Sequence, residues 1–586
     1  MVFLPSKDLP PLPHIPDDVP ICDFMLDERF GRFPLGYSRD PFTCGLTGRS
    51  YSWLDVRDRV DYLSRALAKE FGWHPNQGTE WDKVVGAFLL NTIDSLPLFW
   101  SVHRLAGVVT PANAAYSAAE LAYQLDNSKA KALFTCLPLL DTALEAADKV
   151  GIPRNRVYLV DVPPQVAKGA KAQGNFKTLE QFIKEGQSLP KLEKIQWGPG
   201  EGARRTAFLC YSSGTSGLPK GVMISHRNVI ANSIQIATFE TPYRESLSTI
   251  QSKLDNEPYC AIALDLLPQS HIYALVYICH AGPYRGDQVI VLPRFELKAF
   301  LETVQKFRIT ELFLVPPIII NMLRNKDLLR QYDMSSVKCM FTGAAPLGAE
   351  TAKELHEVFP KWAIRQGYGL TETATVVCST SPMDIWFGSS GNLLPGVEAR
   401  IVDADGKEVI EYDKPGELVI RSPSVVLGYL NNEKATKETF FDGWMRTGDI
   451  AMIRVSPKKT EHVFIVDRIK ELIKVKGMQV APAELEAHLL DHPAVADCAV
   501  IGVPDEAAGE IPKAFVVKSP AAGNDDDAAT TAAIMKHVQD HKARHKWLKG
   551  GIEYVDVIPK SPSGKILRRL LRDREREKRR AAGGKL

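Results

Sequence analysis

The stretch "YSSGTSGLPKGV", Tyr211 to Val222, packs three glycines, four serine or threonine hydroxyls and one lysine into twelve residues. Glycine allows backbone conformations that other residues avoid, so successive N–H groups can turn towards one anion. Ser212, Ser213, Thr215 and Ser216 add hydroxyl donors, Gly214 adds freedom to the turn, and Lys220 adds a positive charge at its end. An apolar run, "TAFLCY", precedes the stretch and a helix-like "SHRNVIANSIQIA" follows it. That is the setting of a phosphate-binding loop. It is not a Walker A loop, because Lys220 precedes Gly221 instead of following a glycine. By composition alone, a flexible linker fits equally well.

Outward from this stretch, short apolar runs alternate with helical patterns. "VVGAFLL", "KALFTC", "RVYLV", "QVIVL" and "ELFLV" read as buried strands, and "SLPLFWSVHRLA", "AAELAYQL" and "LKAFLETVQKF" as helices. The alternation predicts α/β architecture with largely parallel sheets. Near Ile401 the pattern changes: "ARIVDADGKEVIE" reads as a hairpin about an Asp-Gly turn, and "GELVIRS" continues the β character. "VFIVDRIKELIKVKGMQVAPAELEAHLL" leads through two strand-like runs into a helix. A smaller α+β unit follows, with strands "CAVIGVP" and "AFVVK" and "AAGNDDDAATTAA" as a loop. The expected organisation is a large N-terminal domain over 1–466 with a β-rich subdomain, a hinge at 467–470 and a small mobile C-terminal domain over 471–586.

Composition sets the outer limits. A chain of 586 residues is too long for one hydrophobic core. A net charge of +2 gives no global pull towards nucleic acid. The nine cysteines lie far apart with no CxxC pair, which argues against a disulfide framework or a zinc site. The most apolar stretch, "GAFLLNTIDSLPLFWSVHRLAGVV", is interrupted by Asn91, Asp94, His103 and Arg104, so no transmembrane segment is expected. "MVFLPSKDLPPLPHIPDD" lacks the basic start and apolar run of a signal peptide.

The full string "YSSGTSGLPKGVMISH" resembles the signature of the adenylate-forming superfamily: acyl-CoA synthetases, luciferases and peptide-synthetase adenylation domains. Further landmarks follow in family order: "GAAPLG" at Gly343, "QGYGLTET" at Gln366, "WMRTGDI" at Trp444, "DRIKELIKVKGMQVAPAELE" at Asp467 and "PKSPSGKILRR" at Pro559. The resemblance runs from about Thr47 to Arg569. Through "HIYAL", "GYGLTET" and "DEAAGEIPKAFVV" it is most similar to the 4-coumarate–CoA ligase-like branch. It implies an ATP-dependent acid–CoA ligase with Mg²⁺ as cofactor and ATP and coenzyme A as substrates. The acid would first form an acyl-adenylate with release of pyrophosphate, and the thiol would then displace AMP.

The resemblance also implies roles for individual residues. Ser212–Lys220 would clamp the outer phosphates, Thr371 the α-phosphate, and Glu372 would contact Mg²⁺. Tyr368 would stack on adenine, with Ala344, Gln366 and Gly367 forming the rest of the nucleotide slot. Asp449 would accept the ribose hydroxyls with Arg468 as companion. Lys565 would bridge the carboxylate and the α-phosphate, a task suited to a compact ammonium on a long stem, and Lys470 would be the hinge residue. Arg294, Lys474, Lys476 and Gly477 would face coenzyme A. The acyl pocket would comprise His271, Tyr273, Tyr277, Ala344, Gly367 and Ser379. Tyr277 departs from the small residue usual there, which leaves aryl, phenylpropanoid and medium-chain acids open. An adenylate-forming enzyme with another acceptor, such as a luciferase-like oxidase or a stand-alone adenylation enzyme, is the alternative. Lys585-Leu586 matches the end of a peroxisomal import tripeptide, with Gly584 departing from it, so an import receptor is an expected partner and peroxisome or cytoplasm the expected location. The insertion "FETPYRESLSTIQSKLDNEPYC" suggests no function.

Overall fold

A computed structural model describes all residues except 170–171, 173, 213–218, 256–257, 477, 520–526, 562–563 and 582–586. Ser213, Gly214, Thr215, Ser216, Gly477 and Gly584–Leu586 therefore lie outside the described residues.

The buried apolar runs form two parallel-cored sheets. One has nine strands in the order 392–393, 375–379, 363–370, 339–342, 311–314, 262–265, 288–291, 42–44 and 50–51. Its six middle strands are mutually parallel. The other has seven, in the order 428–429, 220–225, 206–212, 108–112, 84–88, 132–135 and 157–159. Helices predicted from periodicity form at Ser95–His103, Ala118–Ser128 and Leu297–Phe307. Residues of both sheets and the helices between them share one large apolar cluster. A third sheet carries strands 398–402, 416–421, 444–455, 440–441 and 461–468. A separate five-stranded sheet, Ile473 onwards, with helices Pro482–Leu490 and Asp527–His541, builds the C-terminal unit on its own core. All nine cysteines are buried. No helix among the described residues is long and apolar enough to cross a membrane.

Two local expectations fail, and one helix runs further than the stretch that announced it. Residues 527–533 of the expected loop are the first turns of helix Asp527–His541. Alanine-rich sequence favours a helix, and Thr530, Ile534 and Val538 bury one side of it. The Asp-Gly hairpin has only one true arm. Glu398–Val402 is a strand, but the return run makes a single bridge at Glu408 because its side chains are largely exposed. Finally, the helix after the glycine-rich stretch does not stop at the insertion but continues from His226 to Asp255, through Pro242. Proline removes one helical hydrogen bond. Burial of Ile234, Ile236 and Phe239 and the ion pair of Glu240 with Arg365 offset that loss.

Candidate active site

The strands on either side of the glycine-rich stretch are antiparallel: Thr206–Ser212 pairs with Lys220–Ser225, and Ser212 stands opposite Lys220. The neighbouring two-residue strand Gly428–Tyr429 pairs with Val222 and Met223 and brings Tyr429 alongside. The Lys220 ammonium lies over the Tyr429 ring, 4.5 Å from its centre. Tyr429 Oη donates to Glu372 Oε1 at 3.0 Å, and Ser212 Oγ donates to the same oxygen at 3.2 Å. Glu372 sits on a tight turn, Thr371–Thr373, held by the Thr373 hydroxyl, which accepts from Leu370 N and donates to Thr375 O. Ser212, Lys220, Tyr429 and Glu372 thus form one polar rim, with Thr371 beside Glu372 in its turn.

Beside this rim lies a second group. Asp449 and Arg468 stand opposite each other on antiparallel strands, with Arg468 Nε 3.3 Å from Asp449 Oδ1. Tyr368 Oη donates to Asp449 Oδ2 at 2.6 Å. Burial pushes the Asp449 carboxyl above the usual carboxylate range, against the pull of Arg468. Burial, with Asp449 next, also pushes the Tyr368 phenol well up, so it remains a donor. Gly367 has no room for a side chain: a Cβ there would lie 2.3 Å from Phe341 Cζ and 3.1 Å from Cys378 O. Ala344 adopts a left-handed conformation, φ +66°. Gln366 Oε1 accepts from Leu347 N at 2.8 Å, so its side chain braces the "GAAPLG" loop.

The C-terminal unit closes over both groups. Gly564, at φ +82°, packs so tightly that a Cβ would meet Pro317 Cγ and Cδ of the large domain at 3.0 Å. Two hydrogen bonds between Ser561 and Lys565 shape the turn that follows. Lys565 enters the site there. Burial, and then Arg468 beside it, lower its ammonium to about 8, while Asp449, Glu372 and Glu471 act the other way. Burial and the Lys565 charge hold His271 down at about 4, so the imidazole is neutral near pH 7. Lys565 therefore stands within electrostatic reach of the Glu372 rim, the Asp449–Arg468 pair and His271 together.

The acyl-pocket residues converge on a buried ion pair. The nine residues from Tyr273 to Ala281 form a π-helix, all of them buried. Its wider turn aims Tyr273 and Tyr277 at Phe341, and π-helical turns are frequent at functional sites. Tyr277 stacks on Phe341 at 4.7 Å and donates to Glu240 Oε1 at 3.3 Å. Tyr273 Oη donates to Phe341 O at 3.1 Å. Arg365 pairs with Glu240 through both guanidinium nitrogens and donates to Ser379 Oγ at 3.1 Å. The insertion that had no assigned purpose supplies Glu240 and also Arg244, which pairs with Asp287.

The residues expected to face coenzyme A are not gathered at this site. Arg294, Lys474 and Lys476 are exposed. Lys474 and Lys476 sit on the hairpin Ile473–Val475/Met478–Val480, tied to Ala508 and Glu510 of the C-terminal unit. Lys470 is exposed in the turn between the two units. Tyr429, Glu240 and Arg365 are site residues that the sequence reading missed. A Gly-Tyr pair and two lone charges carry no local signal, and their partners come from distant parts of the chain.

Comparisons with known proteins agree with this architecture. Residues 36–430 match the family model described as AMP-binding enzyme, and residues 484–565 match its C-terminal domain. The chain is 40% identical over 575 residues to the acyl-CoA ligase easD of Emericella nidulans, covering 98% of this chain and 100% of that protein. It is 41% identical over 534 residues to the acyl-CoA ligase frbB of Dothideomycetidae sp., covering 91% and 92%. In fold it is similar to ATP-bound MatB from Rhodopseudomonas palustris, with TM-score 0.76, 24% identity and coverage of 95% and 98%. It is likewise similar to the anthranilate CoA ligase AuaEII in complex with anthranoyl-AMP, with TM-score 0.77, 23% identity and coverage of 95% and 97%. The chain belongs to the AMP-binding enzymes of the adenylate-forming superfamily and is an AMP-forming, acid-activating ligase.

Proposed function

We propose that this ligase joins a carboxylic acid to coenzyme A in two half-reactions at one site. The observation that carries the reading is that the buried Lys565 ammonium lies within electrostatic reach of Glu372, Asp449, Arg468 and His271. In the first half-reaction, the acid's carboxylate attacks the α-phosphorus of ATP and pyrophosphate leaves. Two anions approach each other, so positive charge must be aimed at the transferring phosphoryl group. Lys565 supplies it between the carboxylate and the α-phosphate, and Thr371 donates to the α-phosphate. Tyr368 offers its ring to adenine while its hydroxyl orients Asp449, which accepts the ribose hydroxyls. Lys220 and the hydroxyls of Ser212–Ser216 hold the departing phosphates. The Glu372 carboxylate, steadied by two hydroxyls beside the phosphate loop, suits a hard cation such as Mg²⁺. Bound there, Mg²⁺ would neutralise phosphate charge.

In the second half-reaction, the coenzyme A thiol attacks the acyl carbonyl and AMP leaves. Rotation about Lys470 withdraws Lys565 and turns the face bearing Lys474, Lys476 and Gly477 towards the acyl-adenylate, with Arg294 near the coenzyme's phosphates. The exposure of Arg294, Lys474 and Lys476 in the present arrangement is consistent with a conformation set for adenylation. Tyr273, Tyr277 and Phe341 give the acyl pocket an aromatic wall ending at the Glu240–Arg365 pair. That favours an aryl, phenylpropanoid or compact medium-chain acid.

The test is incubation with ATP, Mg²⁺, coenzyme A and a panel of such acids, with AMP and thioester measured together. Equimolar AMP and thioester are expected. Release of AMP that ignores coenzyme A, with no thioester formed, would overturn the assignment of the acceptor.

A further inference from the structure

Far from the polar rim, four histidines cluster on the two helices of the C-terminal unit. His488 ends the helix Pro482–Leu490, and His492 follows four residues later. His537 and His541 occupy the last turn of Asp527–His541, also four apart and so on one helical face. The His488 and His537 rings stack in parallel, 4.1 Å apart. His541 stands 5.4 Å from the first and 5.2 Å from the second. One ring nitrogen from each of His488, His537 and His541 lies within 4.8 Å of the other two.

The hydrogen bonds around these rings set their tautomers. His488 Nε2 bonds His537 O at 3.2 Å, His537 Nε2 bonds His488 O at 3.1 Å, and His541 Nδ1 bonds His537 O at 2.9 Å. A carbonyl oxygen only accepts, so each of those nitrogens carries the hydrogen. The lone pair of each neutral ring is left on its other nitrogen: Nδ1 of His488, Nδ1 of His537 and Nε2 of His541. Donation of the second ring N–H to a backbone carbonyl is the arrangement that orients metal-ligating histidines. His492 differs. Its Nδ1 accepts from Ala494 N at 3.2 Å, which occupies its lone pair.

We propose that His488, His537 and His541 form a binding site for a divalent transition metal of the zinc class. Three imidazoles from two packed helices leave the fourth position of a tetrahedron for water, with Asp491 close enough to feel the charge of both His488 and His537. A metal lies in the plane of each ring it binds, at about 2.0–2.1 Å, so closure of the site turns one of the two stacked rings, His488 or His537, out of the stack and brings the three nitrogens in from within 4.8 Å. His541 is exposed, so an ion can enter from solvent. Lys542, whose charge acts on His488, is paired with Glu484 at 3.1 Å, which reduces its opposition to a metal. The ion would pin the two helices together beside the domain seam, where Ala487 faces Gly348 of the large domain.

The full chain, stripped with chelator, is titrated with Zn²⁺ alone against a chromophoric competitor, and separately with Co²⁺. One equivalent is expected to bind. Tetrahedral Co²⁺ bands without sulfur charge transfer are expected, which separates this site from cysteine ligation. His537→Ala and His541→Ala should each weaken binding at least tenfold, and His492→Ala should leave it unchanged. Circular dichroism of the metal-free variants checks their fold; His541 is exposed at a helix end, so its variant keeps the test decisive. Failure of the chain to bind Zn²⁺, or equal binding by His541→Ala and the unaltered protein, overturns the proposal.

Discussion

At the residue scale, Lys565 is the most exacting position. Losing one charge aimed at the transferring phosphoryl group costs on the order of 3 kcal/mol, roughly a hundredfold in rate. Lys565→Ala is expected to lower adenylation, read as pyrophosphate exchange, by about that factor or more. Thioester formation from supplied acyl-adenylate should be spared, and loss of both steps in a folded variant would refute the role. The ammonium also predicts a pH dependence. Its value near 8 means that the charge is present below that pH and lost above it. The kcat/KM for adenylation, which reports the free enzyme, should therefore decline as pH rises through about 8. His271, near 4, should add no limb between pH 6 and 8. Lys565, Glu372, Asp449 and Arg468 were all legible, because each sits inside a short motif. Tyr429 was not: it reaches Glu372 across 57 residues of sequence, and only strand pairing aligns them.

At the element scale, the helix from His226 to Asp255 and the π-helix from Tyr273 to Ala281 carry residues that would shape the proposed acyl pocket. Glu240 on the first bonds both Tyr277 on the second and Arg365 on a central strand. Removing one member of a buried ion pair leaves an uncompensated charge, at a cost of about 3–5 kcal/mol. Glu240→Ala should lower the denaturant midpoint accordingly, and Glu240→Leu combined with Arg365→Met should recover most of the loss. A double variant as unstable as the single one would show that the pair does more than balance charge. The sequence showed the start of the first helix and assigned no element to the second stretch, so neither the passage through Pro242 nor the π-helix was foreseen. A proline is an ordinary stop signal, and a change of helical pitch follows from packing against Phe341 and Phe313.

At the scale of the whole molecule, function depends on how the C-terminal unit docks. Gly564 lies so close to Pro317 that a Cβ would press on the proline ring at 3.0 Å, and its backbone is left-handed. Gly564→Val should hold the unit off the large domain. Adenylation should fall at least tenfold while conversion of supplied acyl-adenylate continues, measured as two separate half-reactions; equal loss of both would point to misfolding instead. The order of motifs along the chain determined the family, the two-unit plan and most of the polar site. Those properties are local: glycine, hydroxyl and charge spacing within a few residues dictates a turn and what it can hold. The Glu240–Arg365 pair, the approach of Tyr429 to Glu372, the seat of Gly564 and the facing histidines of the C-terminal unit were decided by tertiary packing. Each joins residues far apart in sequence, and burial that excludes water gives such contacts their strength.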